Sequence, residues 1–164
     1  MKKRNKAYRP RPVNPDALNW AIAGAHTLPL AKQRELTGYV DVSIDRFRTG
    51  TANREDWNTL ANGMNIAEAL AYFDIGPNLM PHIQAALDAL HDVAMRMLST
   101  GSSTLRSSEL AAIREGRDLY AIQLSLCSQA EAMRAVSRVN DLHRSGAMKN
   151  VAKLYHGMAY PVEA

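Results

Sequence analysis

The fold class of this 164-residue chain is decided by the stretch Asn53-Arg-Glu-Asp-Trp-Asn-Thr-Leu-Ala-Asn-Gly-Met-Asn-Ile-Ala-Glu-Ala-Leu70. Its large apolar residues recur every three or four positions, which places them on one face of an α-helix. Asn53 and Asp56 have the spacing of a capping box, in which two side chains bind free backbone N–H groups where a helix begins. The stretch therefore predicts an amphipathic helix that ends before Ile75-Gly-Pro77. Its predicted face comprises Trp57, Leu60, Met64, Ala67 and Leu70.

Composition extends this prediction to the rest of the chain. The sequence contains 25 Ala, 17 Leu and 8 Met, against 15 Val and Ile together. Unbranched side chains lose less rotamer freedom in a helix than β-branched side chains do. We therefore predict an all-α bundle of five to six helices, forming a single helical domain over residues 15–164. The alternation of Val40, Val42 and Ile44 leaves a short strand as the alternative in that region.

Four further helices follow from apolar periodicity and from capping and stop signals. The first is predicted to begin at Pro15, because Asn14 precedes it as an N-cap and proline is favoured at the first helical position. Gly101 is predicted to end the helix that precedes it. The four predicted ranges are 15–26, 27 or 29 to 50, 78–99 and 147–156.

The longest predicted helix occupies residues 104–144, which contain no proline. If unbroken, it would extend about 60 Å and outreach its own domain. Its free length, or a second apolar face through Leu124 and Cys127, would then pack on a second copy of the chain or on a partner. The alternative is a helix interrupted at Gly116, with Gly146 as the other glycine interruption. One apolar seam is predicted at Leu119, Ile122, Leu126, Ala130, Met133 and Val136.

Positive charge is concentrated at the N-terminal end of the sequence. The formal net charge is +4 and the isoelectric point is about 9.4, but the first twelve residues hold six bases and no acid. The remaining residues hold 14 bases and 16 acids. Because Pro10, Pro12 and Pro15 disfavour helix, residues 1–14 are predicted to form an extended basic arm. Its predicted binding residues are Lys2, Lys3, Arg4, Lys6, Tyr8, Arg9 and Arg11.

Three roles remain open for this basic arm. It could bind nucleic-acid phosphates, as basic arms do. It could bind an acidic protein surface, or it could be a solvated tail. Trp57 adds a candidate outside the arm, because a large ring in the first turn of a helix either fills the core or anchors a partner.

Sequence patterns that would indicate catalysis or metal binding are weak in this chain. His82, His91, Asp88 and Asp92 share one predicted helix, where they are expected to form a solvated polar face, with a surface metal contact as the alternative. No Glu-x-x-His motif occurs. Cys127 lies among apolar residues and is expected to be a buried structural thiol. The sequence has no Gly-x-Ser-x-Gly motif and no P-loop. We predict no catalytic residue, no metal and no cofactor, although five acids could meet in space: Glu55, Asp56, Glu68, Glu109 and Glu131.

Cysteine content and hydropathy indicate the cellular compartment in which the protein is expected. One cysteine cannot form an intrachain disulfide, which favours a reducing environment. No apolar run approaches the roughly 20 residues that span a membrane, and no apolar segment follows the basic N-terminal residues as in a signal peptide. We therefore expect a cytoplasmic protein without a membrane partner.

Two segments resemble small helical accessory proteins encoded by phages and prophages of proteobacteria. They are the opening Met1-Lys-Lys-Arg-Asn-Lys-Ala-Tyr-Arg-Pro-Arg-Pro-Val13 and the predicted helix from Trp57 to Leu70. The resemblance implies a protein in a bacterial host that acts stoichiometrically, by binding a host protein or protein–nucleic-acid complex. Such targets include polymerases, regulators and defence complexes such as CRISPR effectors. The expected function is thus a non-enzymatic binding protein, with nucleic-acid binding through the arm as the alternative.

Overall fold

The computed structural model describes residues 22–145, and within that range the structure is built from α-helices. A short 3₁₀-helix, Pro77–Leu79, precedes the third of them, and residues 22–25 are also helical. The one β-type pairing in the described range is an isolated bridge between Thr27 and Ser128. The predicted all-α bundle is therefore confirmed. The helices are α1 (Leu30–Thr49), α2 (Arg54–Tyr72), α3 (Met80–Thr100), α4 (Ser107–Leu126) and α5 (Gln129–Arg144).

Helix α2 lies at the centre of the bundle, in contact with each of the other four helices. Its capping box forms as predicted. The Asn53 Oδ1 accepts hydrogen bonds from the N–H groups of Glu55 and Asp56, and the Asp56 Oδ2 accepts one from the Asn53 N–H at 2.9 Å. All five predicted apolar residues of α2 are buried.

Helix α1 continues through the region where a strand was the alternative. Val40 and Ile44 are buried while Val42 is exposed, which is the helical pattern. The helix ends at Gly50, whose positive φ of 72° is favoured by glycine and directs its N–H to the carbonyls of Arg46 and Phe47. Helix α3 ends in the same way at Gly101, as the sequence predicted.

The segment predicted as one long helix is two helices. The break lies at Cys127 and Ser128, which both have extended backbone angles. Ser128 caps α5, because its Oγ accepts the Glu131 N–H and its own N–H donates to the Glu131 carboxylate at 2.7 Å. The predicted interruption at Gly116 is wrong. This glycine lies within α4, where a Cβ would come within 2.7 Å of both the Ala86 Cβ and the Met64 Sδ, so its missing side chain lets helices approach closely.

The apolar seam predicted along this segment is also wrong. Ile122, Leu126, Met133 and Val136 are 50%, 64%, 62% and 42% exposed. The buried face of α4 is instead the face through Leu124 and Cys127, which was predicted to contact a partner. Gly116 lies on this face and lets it pack closely against α3. Its buried members include Ile113, Gly116, Tyr120, Leu124 and Cys127, and α5 adds Ala135 and Val139.

Several predictions fall outside residues 22–145. They are the basic arm of residues 1–14, the first part of the predicted helix 15–26, the interruption at Gly146 and the predicted helix 147–156. The described end of helix 15–26 is helical at residues 22–25, in agreement with the prediction.

Candidate binding surface

The predicted site residues are placed as follows. The arm residues Lys2, Lys3, Arg4, Lys6, Tyr8, Arg9 and Arg11 lie outside the described part of the chain. Trp57 is 5% exposed, and its indole Nε1 donates a hydrogen bond to the Leu90 carbonyl at 2.9 Å. This tryptophan fills the core between α2 and α3, which is the first of the two roles that the sequence left open, and its ring is enclosed by the protein's own helices.

Three of the five acids considered for a catalytic pair lie at the starts of three different helices. Asp56 caps α2 and accepts a hydrogen bond from Arg46 at 2.9 Å. Glu109 lies in the first turn of α4, where hydrogen bonds from Arg96 hold the pKa of its carboxyl below the ordinary value despite burial. Glu131 caps α5, and hydrogen bonds from Ser128 lower the pKa of its carboxyl. Each of these three carboxylates thus has hydrogen-bond partners at the start of its own helix.

Two buried groups, a thiol and a phenol, have raised pKa values. Burial raises the pKa of the Cys127 thiol, which is fully enclosed at the end of α4. Burial also raises the pKa of the Tyr120 phenol to about 12. Both groups therefore stay protonated near pH 7, and the prediction that Cys127 is a buried thiol is confirmed.

The polar residues predicted along one helix lie on α3. His82 is half-exposed, and its Nδ1 lies 2.8 Å from an Oε1 of Glu115 on α4. No group of three or more metal-ligating side chains occurs between residues 22 and 145.

We call the four exposed apolar side chains Ile122, Leu126, Met133 and Val136 the apolar strip. They flank the break between α4 and α5, two on each helix. Several exposed apolar side chains within a short segment are a candidate binding surface, whereas single ones are ordinary on any protein. The strip contains four of the six residues of the predicted seam, so the sequence located this face but assigned it to the core.

The chain that enters the described region at Ile22 packs beside the start of α5. A Cβ on Gly24 would lie 3.1 Å from the Ala130 Cβ. The Leu28 N–H donates to the Cys127 carbonyl at 3.2 Å, and the Gln129 N–H donates to the His26 carbonyl at 2.9 Å. The described segment from Ile22 to Leu28 is therefore attached to the body at the start of α5.

A cleft of about 440 Å³ lies between the end of α2 and helix α5. The guanidinium of Arg134 lies over the Phe73 ring, 4.0 Å from its centroid, and the guanidinium of Arg138 lies over the Tyr72 ring at 3.7 Å. The two rings meet edge to face, with centroids 5.4 Å apart. The cleft is lined by Phe73, Arg134, Ser137, Arg138, Asp141, Leu142 and Ser145.

Sequence reasoning missed this cleft. The spacing of Arg134 and Arg138, four residues apart, was a visible signal that both lie on one helix face. Their aromatic partners come from α2, more than sixty residues earlier, and periodicity within a segment does not identify contacts between helices.

None of the described helices is long and apolar enough to cross a membrane. Comparisons of the chain with protein-family models, with curated proteins and with solved structures give no match.

Proposed function

We propose that this protein is a non-enzymatic binding protein that acts stoichiometrically on a host protein, which it contacts through the apolar strip. The observation that carries the proposal is the exposure of Ile122, Leu126, Met133 and Val136 around the break between α4 and α5. Burying such a side chain fully is worth roughly 1.5–3 kcal/mol. Because each is already about half-buried, the strip offers a partner roughly 4 kcal/mol in all.

The free energy gained by burying the strip limits the affinity that the strip alone can provide. A micromolar complex requires about 8 kcal/mol, so the strip supplies about half, and polar contacts around it must supply the rest. A partner with an apolar patch inside a polar rim meets this requirement. The narrower form of the proposal, an inhibitor of a host defence complex such as a CRISPR effector, is supported by the sequence resemblance to phage accessory proteins.

The test is affinity purification of the tagged full chain from a bacterial host, followed by reconstitution with the recovered protein. We expect a defined complex near one-to-one ratio, lost in the double variant Leu126→Asp/Met133→Asp. The matched control is Tyr39→Asp/Val42→Asp, which places the same charges at similarly exposed positions on α1. Equal loss of the partner from both variants would contradict the assignment to the strip.

Nucleic-acid binding through the basic arm is the second candidate. It is favoured by the six bases, with no acid among them, in residues 1–12. Deletion of residues 1–12 should then abolish retention of a generic oligonucleotide at low salt and flatten the salt dependence. Unchanged binding after the deletion would contradict this candidate.

A further inference from the structure

The cleft between α2 and α5 holds two arginines in fixed orientations. A guanidinium that stacks on an aromatic ring uses the face of its plane, so its N–H donors still point outward within that plane. Arg134 and Arg138 both stack in this way, on Phe73 and on Tyr72. The rings thus hold the two cations in position and leave their hydrogen-bonding edges for an anion.

Neither arginine forms an ion pair with a carboxylate among the described residues. Two acids lie nearby on α5, and both have other partners. Asp141 pairs with Arg144 at 3.3 Å. The carboxylate of Glu131 accepts hydrogen bonds from the N–H and the hydroxyl of Ser128 at 2.7 and 2.8 Å. Neither guanidinium is thus in ion-pair contact with a carboxylate, although the charge of Arg134 contributes to lowering the pKa of Glu131.

Tyr72 lies beside the cleft, next to Phe73 and under Arg138, and is not one of the residues that line it. The residue is 58% exposed although Arg138 covers part of its ring. Exposed rings beside arginines serve as stacking platforms for the bases of single-stranded nucleic acids. A peptide made of acidic residues alone would use the two arginines but not the ring, whereas every nucleotide offers both a phosphate and a base.

We propose that this cleft binds single-stranded nucleic acid, with Arg134 and Arg138 on neighbouring phosphates and Tyr72 stacked on a base. The two arginines lie on successive turns of α5, so they face the same strand. This site is separate from the apolar strip and does not depend on the function proposed for the strip.

The test is fluorescence anisotropy of a dye-labelled oligothymidylate, titrated with the full chain at several salt concentrations. For the variant Arg134→Gln/Arg138→Gln we expect at least a tenfold loss of affinity. The slope of log K against log salt should fall by about 1.4, the value for two phosphates of a single strand. The control Arg34→Gln/Arg114→Gln removes the same charge at exposed positions outside the cleft and should change affinity less than threefold.

Tyr72→Leu separates stacking from charge. We expect about a tenfold loss of affinity with an unchanged salt slope, since leucine retains apolar bulk but not the ring. Circular dichroism and thermal unfolding check that each variant folds. The proposal is overturned if the cleft variant and the control lose affinity equally, or if the cleft variant binds like the wild type. Binding of duplex DNA or polyglutamate as tight as that of the single strand would also overturn it.

Discussion

Arg96 on α3 and Glu109 on α4 form a two-pronged ion pair, with hydrogen bonds of 2.7 and 2.6 Å from the two guanidinium nitrogens to the two carboxylate oxygens. Glu109 also accepts the backbone N–H of Arg106, and Arg96 donates to the Thr104 carbonyl. The pair therefore ties the loop between the helices to the start of α4. Only 16% of the Arg96 side chain and 7% of the Glu109 side chain are exposed.

The first prediction concerns the strength of this pair. Glu109→Gln should lower the free energy of unfolding by about 2–4 kcal/mol, because it leaves the Arg96 charge partly buried without its counter-ion. Urea unfolding at neutral pH measures the change. A double-mutant cycle with Arg96→Met isolates the interaction, and a coupling energy near zero would contradict its importance.

The second prediction concerns pH. The Arg96 hydrogen bonds hold the pKa of Glu109 below its ordinary value of 4.5, so its contribution is complete above that value and is lost as pH falls through the folded-state pKa. Lowering the pH from about 6 to about 3 should therefore destabilise the wild type more than Glu109→Gln. Urea midpoints at the two pH values measure this difference. Equal losses would show that Glu109 does not contribute to acid sensitivity.

The third prediction distinguishes two helices from one. Ser128→Ala should destabilise the protein by about 1 kcal/mol, because it removes the N-cap of α5. In an uninterrupted helix the same substitution would stabilise, since alanine has the higher helix propensity. Ser125→Ala, within α4, is the matched control and should be neutral or slightly stabilising. A stabilising effect of Ser128→Ala would contradict the break.

The fourth prediction compares two helical glycines. Gly116→Ala should destabilise by about 1–3 kcal/mol, because its Cβ would overlap Ala86 and Met64. Gly38→Ala in α1 should stabilise by up to about 1 kcal/mol, since no atom lies within 4 Å of its Cβ position. Thermal unfolding of both variants measures the contrast. Effects of the same sign would contradict the close approach of α4 to its neighbours.

The helices α1, α2 and α3 could be predicted from sequence because their signals are local. The Asn53–Asp56 capping box and the glycines at 50 and 101 act on the backbone within a few residues, so neighbouring residues suffice to identify them. The Ser128-x-x-Glu131 capping box is equally local, and it marks the break between α4 and α5. The regular apolar spacing on both sides of this break predicted a continuous helix instead.

The surfaces could not be predicted in the same way. Helix α4 carries two apolar faces, and the choice between them depends on Gly116 meeting Ala86 and Met64, which come from other helices. The stacking of Arg138 on Tyr72 likewise joins α5 to α2. Periodicity shows that a helix has an apolar face but not which neighbour covers it, so the exposed strip and the cleft required the tertiary structure.

The central claim is that the apolar strip contacts the host partner, and site-specific photo-cross-linking tests it most directly. A photoreactive phenylalanine analogue at Met133 should cross-link the partner in the host cell, whereas the same analogue at Tyr39, which is similarly exposed on α1, should not. Cross-links to one partner from position 133 alone would support the claim. Cross-links of equal yield from both positions, or from position 39 alone, would contradict it.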